Sequence, residues 1–257
     1  MKIATWNINS VKIRTQHLLD FISEVNPDIL MLQELKCETD KFPYEELSHL
    51  PYNLYVHGQK SYNGVAILSK FRADEVIYNF PSNPLSEQSR FLEVTVQTPI
   101  GFCRIICLYA PNGGEAYSDK FEAKLQFFDS LNNYLESIKT FEEKLIIGGD
   151  FNISPFDMDV HSVTELEDKT CFTLVERDRL RALLNLGFED QFRLLNPQLQ
   201  EFSWWDYRSG AFEHNKGMRI DMILTSANAT GNFSKCYIDY EMRAKIKPSD
   251  HAPVILY

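Results

Sequence analysis

Residues Leu145-Ile146-Ile147-Gly148-Gly149-Asp150-Phe151-Asn152 leave this chain few ways to fold. A short apolar run closed by glycine reads as a buried strand, which commits the chain to a sheet with a covered core. The glycines are expected to let the backbone turn sharply where the strand leaves the sheet. Asp150 and Asn152 would then share one side of an extended chain, because side chains alternate with a period of two. A carboxylate and an amide presented together at a strand end can orient a water and a phosphate. The same residues also suit a plain Asp-Asn turn capping a loop, so the rest of the chain has to decide.

The decision comes from recurrence. Lys2–Trp6 reads as a strand followed by Asn7-Ile8-Asn9-Ser10, and a helical pattern with Leu18, Leu19, Ile22 and Val25 on one face runs from about Arg14 to Val25, stopped by Pro27. Asp28–Gln33 is a nearly unbroken apolar run ending at Glu34. Val65–Ser69 follows Tyr62-Asn63-Gly64. Phe91–Val96 and Phe102–Leu108 flank the turn Thr98-Pro99-Ile100-Gly101, and the second ends at Tyr109. An amphipathic helix is predicted over about Ser118–Ile138. Thr173-Leu174-Val175-Glu176 has the form of a capping box opening a helix through Leu186, with Gly187 as its stop. Phe202–Tyr207, Arg219–Thr225, Phe233–Met242 and Ala252–Tyr257 read as further strands. Strands along the whole length with few helices, and several consecutive antiparallel pairs, predict layered α/β with two sheets packed face to face under outer helices.

The polar residues fall at the strand ends: Asn7, Glu34, Tyr109, Asp150 with Asn152, Asp221, and Asp250-His251. Each has a bland account. Glu34 could be a surface acid, Asp221 could pair with Arg219, and His251 could be a satisfied turn histidine. Six strand ends carrying one chemical set point instead to a site at one sheet edge. Glu34, Asp250, Asn7 and Asn9 offer only oxygen ligands, which suits Mg²⁺ or Mn²⁺ rather than zinc. A hard cation, a carboxylate base at Asp150, and donors such as Asn152, Tyr109 and His251 make a phosphodiester hydrolase.

Composition bounds this reading. The 257 residues are 44% hydrophobic and 24% charged, the profile of a folded chain, and we read residues 1–257 as a single domain. The formal net charge of −10 argues against a nucleic-acid partner on its face, but a local basic rim can coexist with an acidic body. Candidates for that rim are Lys36, Lys60, Arg208, Lys216 and Arg219. Cys37, Cys103, Cys107, Cys171 and Cys236 form no CxxC or zinc spacing, so reduced thiols in a cytoplasmic protein are expected. No run approaches the ~18 apolar residues of a membrane span.

Taken together, Thr5-Trp6-Asn7, Gln33-Glu34-Leu35-Lys36, Asn63-Gly64-Val65, Tyr109-Ala110-Pro111-Asn112, Gly149-Asp150-Phe151-Asn152, Arg219-Ile220-Asp221 and Ser249-Asp250-His251 resemble exonuclease III-type apurinic/apyrimidinic endonucleases. These belong to the endonuclease/exonuclease/phosphatase superfamily, and the resemblance spans the chain in order. It implies a four-layer α/β sandwich, two packed mixed β-sheets flanked by helices. It also implies Mg²⁺-dependent incision 5′ to abasic sites in double-stranded DNA by a monomer, with 3′→5′ exonuclease and 3′-end-cleaning activity. Carried over by motif, Glu34 is the main metal ligand, assisted by Asn7 and Asp250, with Asp150, Asn152 and His251 in the same metal-side set. Asp150 is the base, Asn152 positions phosphate or water, His251 contacts the phosphate and is oriented by Asp221, and Tyr109 supports the charge. Asn9, Lys36, Tyr62, Asn112, Trp204, Arg208 and Met218 would touch DNA. Trp204, next to core Trp205, would line a pocket for the flipped-out sugar. Two positions depart from the pattern: Glu115 stands in a loop where some relatives carry arginine, and Met218 where some are aromatic. The rival readings are a phosphatase or phosphodiesterase of another branch of the superfamily and a catalytically idle DNA-binding module.

Overall fold

In the computed structural model, which describes residues 1–139 and 143–257, two six-stranded sheets lie face to face. We number the strands β1 (Ile3–Asn7), β2 (Ile29–Gln33), β3 (Asn53–His57), β4 (Val65–Ser69), β5 (Ala73–Ile77), β6 (Phe91–Thr98), β7 (Gly101–Tyr109), β8 (Lys144–Asp150), β9 (Phe188–Asp190), β10 (Trp204–Trp205), β11 (Gly217–Met218), β12 (Asp221–Ser226), β13 (Cys236–Ile238) and β14 (Val254–Leu256). One sheet runs β13-β14-β1-β2-β4-β3 and the other β5-β6-β7-β8-β12-β9, while β10 and β11 form a separate ribbon. Among the described residues only β1/β2 and β7/β8 pair in parallel.

The unbroken apolar runs are explained by burial on both faces. Ile3, Ile29, Met31, Val65 and Ile67 meet Val94, Ile105, Cys107, Ile146 and Ile223 between the sheets. Ala4, Trp6, Leu30 and Leu32 point the other way, onto Leu18, Phe21 and Ile22 of the helix Thr15–Val25. On the opposite outer face, Ile106, Leu108, Leu145 and Ile147 pack against Phe127, Phe128, Leu131 and Leu135 of the helix Asp119–Ile138 and Leu180 and Leu183 of the helix Leu174–Asn185. The result is the expected four-layer sandwich. The capping box is present, with Thr173 accepting from the Glu176 backbone N–H and Glu176 from that of Thr173, and Gly187 follows in the left-handed region at φ +95°.

Several expectations change. Phe202–Tyr207 is a strand only at Trp204–Trp205, and β12 starts at Asp221 rather than Arg219. There the Ser203 hydroxyl takes the backbone N–H groups of Ile220 and Asp221. Phe233–Met242 holds a strand only at Cys236–Ile238. Asp239 then caps a short helix, Tyr240–Ala244, and ends the extended run. β3, β5 and β9 were missed. The first two are half-exposed edge strands with polar residues such as Asn53, His57, Asp74 and Glu75, and the third is only three residues long.

The two central glycines make no turn, since β8 continues through both to Asp150. They are required for close approach. A Cβ on Gly148 would sit 2.2 Å from Met31 Cε of the facing sheet, and one on Gly149 would sit 1.9 Å from the Leu108 carbonyl oxygen.

Candidate active site

The register explains why the polar strand ends converge. Asp150 lies opposite Tyr109 across the β7/β8 pair and opposite Asp221 across β8/β12, so these three form one row at the sheet edge. In the facing sheet, Asn7 pairs with Gln33, and Glu34 follows. The row therefore faces a second one across the sandwich. Glu34, Tyr109, Asn112, Asp150, Asn152, Trp204, Met218, Asp250 and His251 line one cavity of about 440 Å³, together with Leu166, Thr170, Cys171 and Ile220.

The Asn7 amide bridges the rows. Its Nδ2 donates to Glu34 Oε1 and to Asp150 Oδ2, both at 2.9 Å, while its Oδ1 accepts the Asn9 backbone N–H at 3.1 Å. Asn9 in turn donates to Asp250 Oδ1 at 2.8 Å and accepts from Lys36 Nζ at 2.5 Å, and Lys36 also meets Glu34 Oε2 at 2.9 Å. The remaining Asp250 oxygen accepts the Trp204 indole N–H at 3.0 Å. Deeper in, His251 Nδ1 meets Asp221 Oδ2 at 2.8 Å, the same oxygen that takes the Ser203 hydroxyl, and His251 Nε2 lies 3.8 Å from Asp150. Asp221 thus holds His251, and its suggested partner Arg219 does something else. Arg219 is fully buried and paired with Asp159 and Asp190, so it drops out of the basic rim.

Asp150 and Asn152 do not lie on an extended chain. Asn152 has φ +51°, and its N–H closes a turn onto Asp150 Oδ1 at 2.9 Å. The turn reading is locally correct, yet both side chains still face the cavity. Left-handed backbone recurs around the site at Asn9, Glu34, Lys36 and Cys171. For residues other than glycine this costs energy that the surroundings must offset, and such strain concentrates at functional sites.

The carboxyls divide by environment. Burial would raise Glu34, but Lys36 and the Asn7 amide hold it below its ordinary value. Burial is likewise overcome at Asp250 by His251, Asn9 and Trp204, which lower it. At Asp150 burial wins, helped by the Asp221 charge, and the carboxyl rises to about 7. His251 is raised despite burial, because Asp221 and Asp150 favour its charged form. Tyr109 is raised well above its ordinary value by burial and by the Glu34 and Asp150 charges, so it stays a phenol.

Among the described residues, one group of acids and histidines could hold a metal: Glu34, Asp150 and His251, with ligand atoms all within 4.8 Å of one another. Asp250 is not in that group. The two carboxylates suit a divalent cation, whereas His251, favoured in its charged form by Asp221 and Asp150, offers an N–H rather than a lone pair. Of the expected DNA-side residues, Asn112, Trp204 and Met218 line the cavity, and Asn9 and Lys36 edge it through Asp250 and Glu34. Tyr62 is exposed in a neighbouring cavity with Arg90, and Arg208 is exposed and paired with Asp206. Trp204 and Trp205 split as expected: Trp204 is half-buried in the cavity wall, and Trp205 is fully buried against Phe212 and Tyr240. Ser203, Cys171, Leu166, Thr170 and Ile220 were missed. None carries a sequence signal apart from Ile220, which sits inside the Arg219-Ile220-Asp221 motif.

Comparison with known proteins follows the same line. The Endonuclease/Exonuclease/phosphatase family model matches residues 4–251. An exodeoxyribonuclease III from Haemophilus influenzae is 37% identical over 262 aligned residues, taking in 99% of this chain and 98% of that protein. Among solved structures, the 3′ phosphatase NExo from Neisseria, bound to product DNA hairpin, has a TM-score of 0.96 at 37% identity, covering 100% of this chain and 98% of the other. An AP endonuclease from Archaeoglobus fulgidus has a TM-score of 0.95 at 33% identity, with coverage of 100% and 98%. The match begins in the first strand and ends on the histidine that Asp221 holds, and the chain belongs to the endonuclease/exonuclease/phosphatase family.

Proposed function

We propose that this chain is a Mg²⁺-dependent DNA repair nuclease that cuts the phosphodiester 5′ to abasic sites and also clears nucleotides and blocking groups from 3′ ends. Mn²⁺ would substitute for Mg²⁺. The observation that carries the reading is the meeting of Glu34, Asp150 and His251 within 4.8 Å, in a cavity with a polar floor and a wall of Trp204, Met218, Ile220 and Leu166. The activities of the three relatives are forms of one step, attack by water on a phosphorus of DNA.

Glu34 and Asp150 would hold the ion, with Asn7 orienting both carboxylates and Asp250, Asn152 and His251 close by. Bound there, the ion would neutralise charge on the scissile phosphate. Asp150, whose carboxyl burial raises to about 7 in the metal-free protein, would take the proton from the attacking water. His251, kept cationic by Asp221, directs an N–H at the phosphate, and Tyr109, kept as a phenol, offers an O–H to developing negative charge. The apolar wall suits a sugar without its base, so Trp204 and Met218 would give selectivity by exclusion. Lys36, Asn9, Asn112, Tyr62 and Arg208 would follow the strand.

The cavity draws its lining from Glu34 through to His251, which fits one domain over residues 1–257, and we propose that it acts as a monomer. The five cysteines are buried and unpaired, which fits a reducing cytoplasm. No helix among the described residues is long and apolar enough to cross a membrane. The test uses duplex oligonucleotides bearing an abasic site, a 3′-phosphate or a plain 3′ end, incubated with Mg²⁺ or with EDTA, beside an inositol phosphate. Incision on the 5′ side of the abasic site, abolished by EDTA, is the expected result. Hydrolysis of the inositol phosphate alone would move the protein to another branch, and no hydrolysis at all would make it a binding module.

A further inference from the structure

Behind the cavity wall lies an ion pair that the proposed chemistry does not use. Lys124, from the helix Asp119–Ile138, and Glu176, from the first turn of the helix Leu174–Asn185, are in contact, and both side chains are fully buried. An ammonium has three N–H donors, and here all three are committed. One goes to Glu176 Oε1, one to the Asn112 carbonyl at 3.1 Å and one to the Asn152 carbonyl at 2.7 Å. Glu176 Oε1 also accepts the Cys171 backbone N–H at 3.1 Å. The pair therefore grips the backbone of Asn112, Asn152 and Cys171, three residues on three separate loops.

Those residues are the ones that meet in the cavity. Asn112 Nδ2 donates to Asn152 Oδ1 at 3.1 Å, and the Cys171 Sγ lies 3.8 Å from that oxygen and 3.7 Å from Asn112 Nδ2. Asn152 and Cys171 both have left-handed backbone, at φ +51° and +74°. The Asn112 loop rests on the lysine stem at Gly113 (φ +91°), where a Cβ would come 3.0 Å from Lys124 Cδ. A lysine in the middle of an amphipathic helix would ordinarily lie on the wet face. Taking one into the dry interior carries a large desolvation cost, which the Glu176 contact and two carbonyls offset.

We propose that Lys124 and Glu176 are positioning residues for phosphodiester hydrolysis, setting where the Asn112 and Asn152 amides stand against the substrate phosphate. The proposal rests on reading those amides as substrate-side groups. The charges can be removed together by Lys124→Met with Glu176→Gln, which leaves no unpaired buried ion and keeps an acceptor for the Thr173 cap. The expected result is a fall in kcat of about 10–100-fold per folded molecule, since small displacements of reacting groups cost that much, with KM for an abasic oligonucleotide changed little.

Placing the same pair of changes in a background that carries both Asn112→Ala and Asn152→Ala separates positioning from general loosening. A positioning role predicts almost no further loss there, whereas losses that simply multiply would overturn the proposal. If Asn152→Ala alone cuts abasic DNA at the parental rate, the underlying reading of the site fails instead. Should the doubly neutral protein not fold, Lys124→Arg keeps the charge, but its planar fork cannot reproduce three diverging bonds. That variant is expected to melt like the parent and turn over several-fold more slowly, and parental turnover from it would overturn the proposal.

Discussion

The rim and the floor of the cavity solve opposite problems with the same residue type. On the rim, Glu34 keeps 18% exposure in its side chain and Asp250 is tied to Asn9 and Trp204, and both carboxyls are held below their ordinary value. On the floor, Asp150 keeps 2% exposure and is raised to about 7. The rim acids stay charged over the whole physiological range, which suits a cation. The floor acid changes state within that range, which suits a proton. Identical carboxyls thus acquire two roles from what surrounds them: amide, indole and ammonium donors on one side, burial and a second carboxylate on the other.

The strongest test of this division is on the floor. Asp150→Asn is expected to lower abasic incision by about 10²–10⁴-fold, the span for loss of a general base, and raising Mg²⁺ should not restore it. Restoration by metal would show that Asp150 only holds the ion and takes no proton. Next in size is the Asp221–His251 unit. Asp221→Asn and His251→Asn should each cost about 10²–10³-fold in kcat, and the double variant should fall within about threefold of the worse single one. Fully multiplicative losses in single-turnover rates would show that the pair does not act together.

On the rim, Glu34→Gln should cost about 10²-fold at low millimolar Mg²⁺ and recover in part at higher concentration, because it weakens a ligand rather than removing the base. Normal incision at low Mg²⁺ would remove Glu34 from the site. Trp204→Ala should lower abasic incision by about 10–100-fold, equivalent to ~1–3 kcal/mol of aromatic contact, with little change in melting. Trp205→Ala should instead cost about 3–5 kcal/mol of stability as a core truncation. Thermal melts and steady-state incision of both variants check the assignment in one experiment.

The smallest effect is on pH. An acid whose carboxyl lies at about 7 in the metal-free protein is protonated below that point and must lose its proton to hold a cation. Affinity for Mn²⁺, measured calorimetrically, should therefore rise by up to roughly tenfold per pH unit as pH climbs towards 7, then level off. Affinity that is flat from pH 5.5 to about 8 would mean that Asp150 takes no part in holding the ion.

Much of this site was legible because its chemistry sits at the ends of strands whose apolar runs are unmistakable. Asn7, Glu34, Tyr109, Asp150 and His251 were found by that rule, and alternation along the chain separated Trp204 from Trp205. What escaped reading is tertiary. Lys124 looks like any lysine on an amphipathic helix until Glu176 and two carbonyls surround it. Arg219 borders a motif and so suggested a DNA contact, but Asp159 and Asp190 lie far from it in sequence. The left-handed backbone at Glu34 leaves no mark in residue type, whereas Asn152 is of a type that enters that region readily and suggested a turn. The edge strands β3 and β5 lack a continuous apolar face because solvent covers part of them.

At Gly148 and Gly149 the layers and strands meet with no β8 side chain between them. Gly148 precedes Asp150 by two residues, and Met31 precedes Glu34 by three. The absent methyl group leaves the Met31 thioether against the β8 backbone, between the two strands that lead to those carboxylates. A Cβ at 148 would first displace the flexible end of the Met31 side chain, whereas one at 149 would meet the Leu108 carbonyl of the neighbouring strand. Tolerance to substitution in this molecule is thus governed by clearance as well as by chemistry, and Gly149, whose Cβ would come within 1.9 Å of backbone, carries no functional group at all.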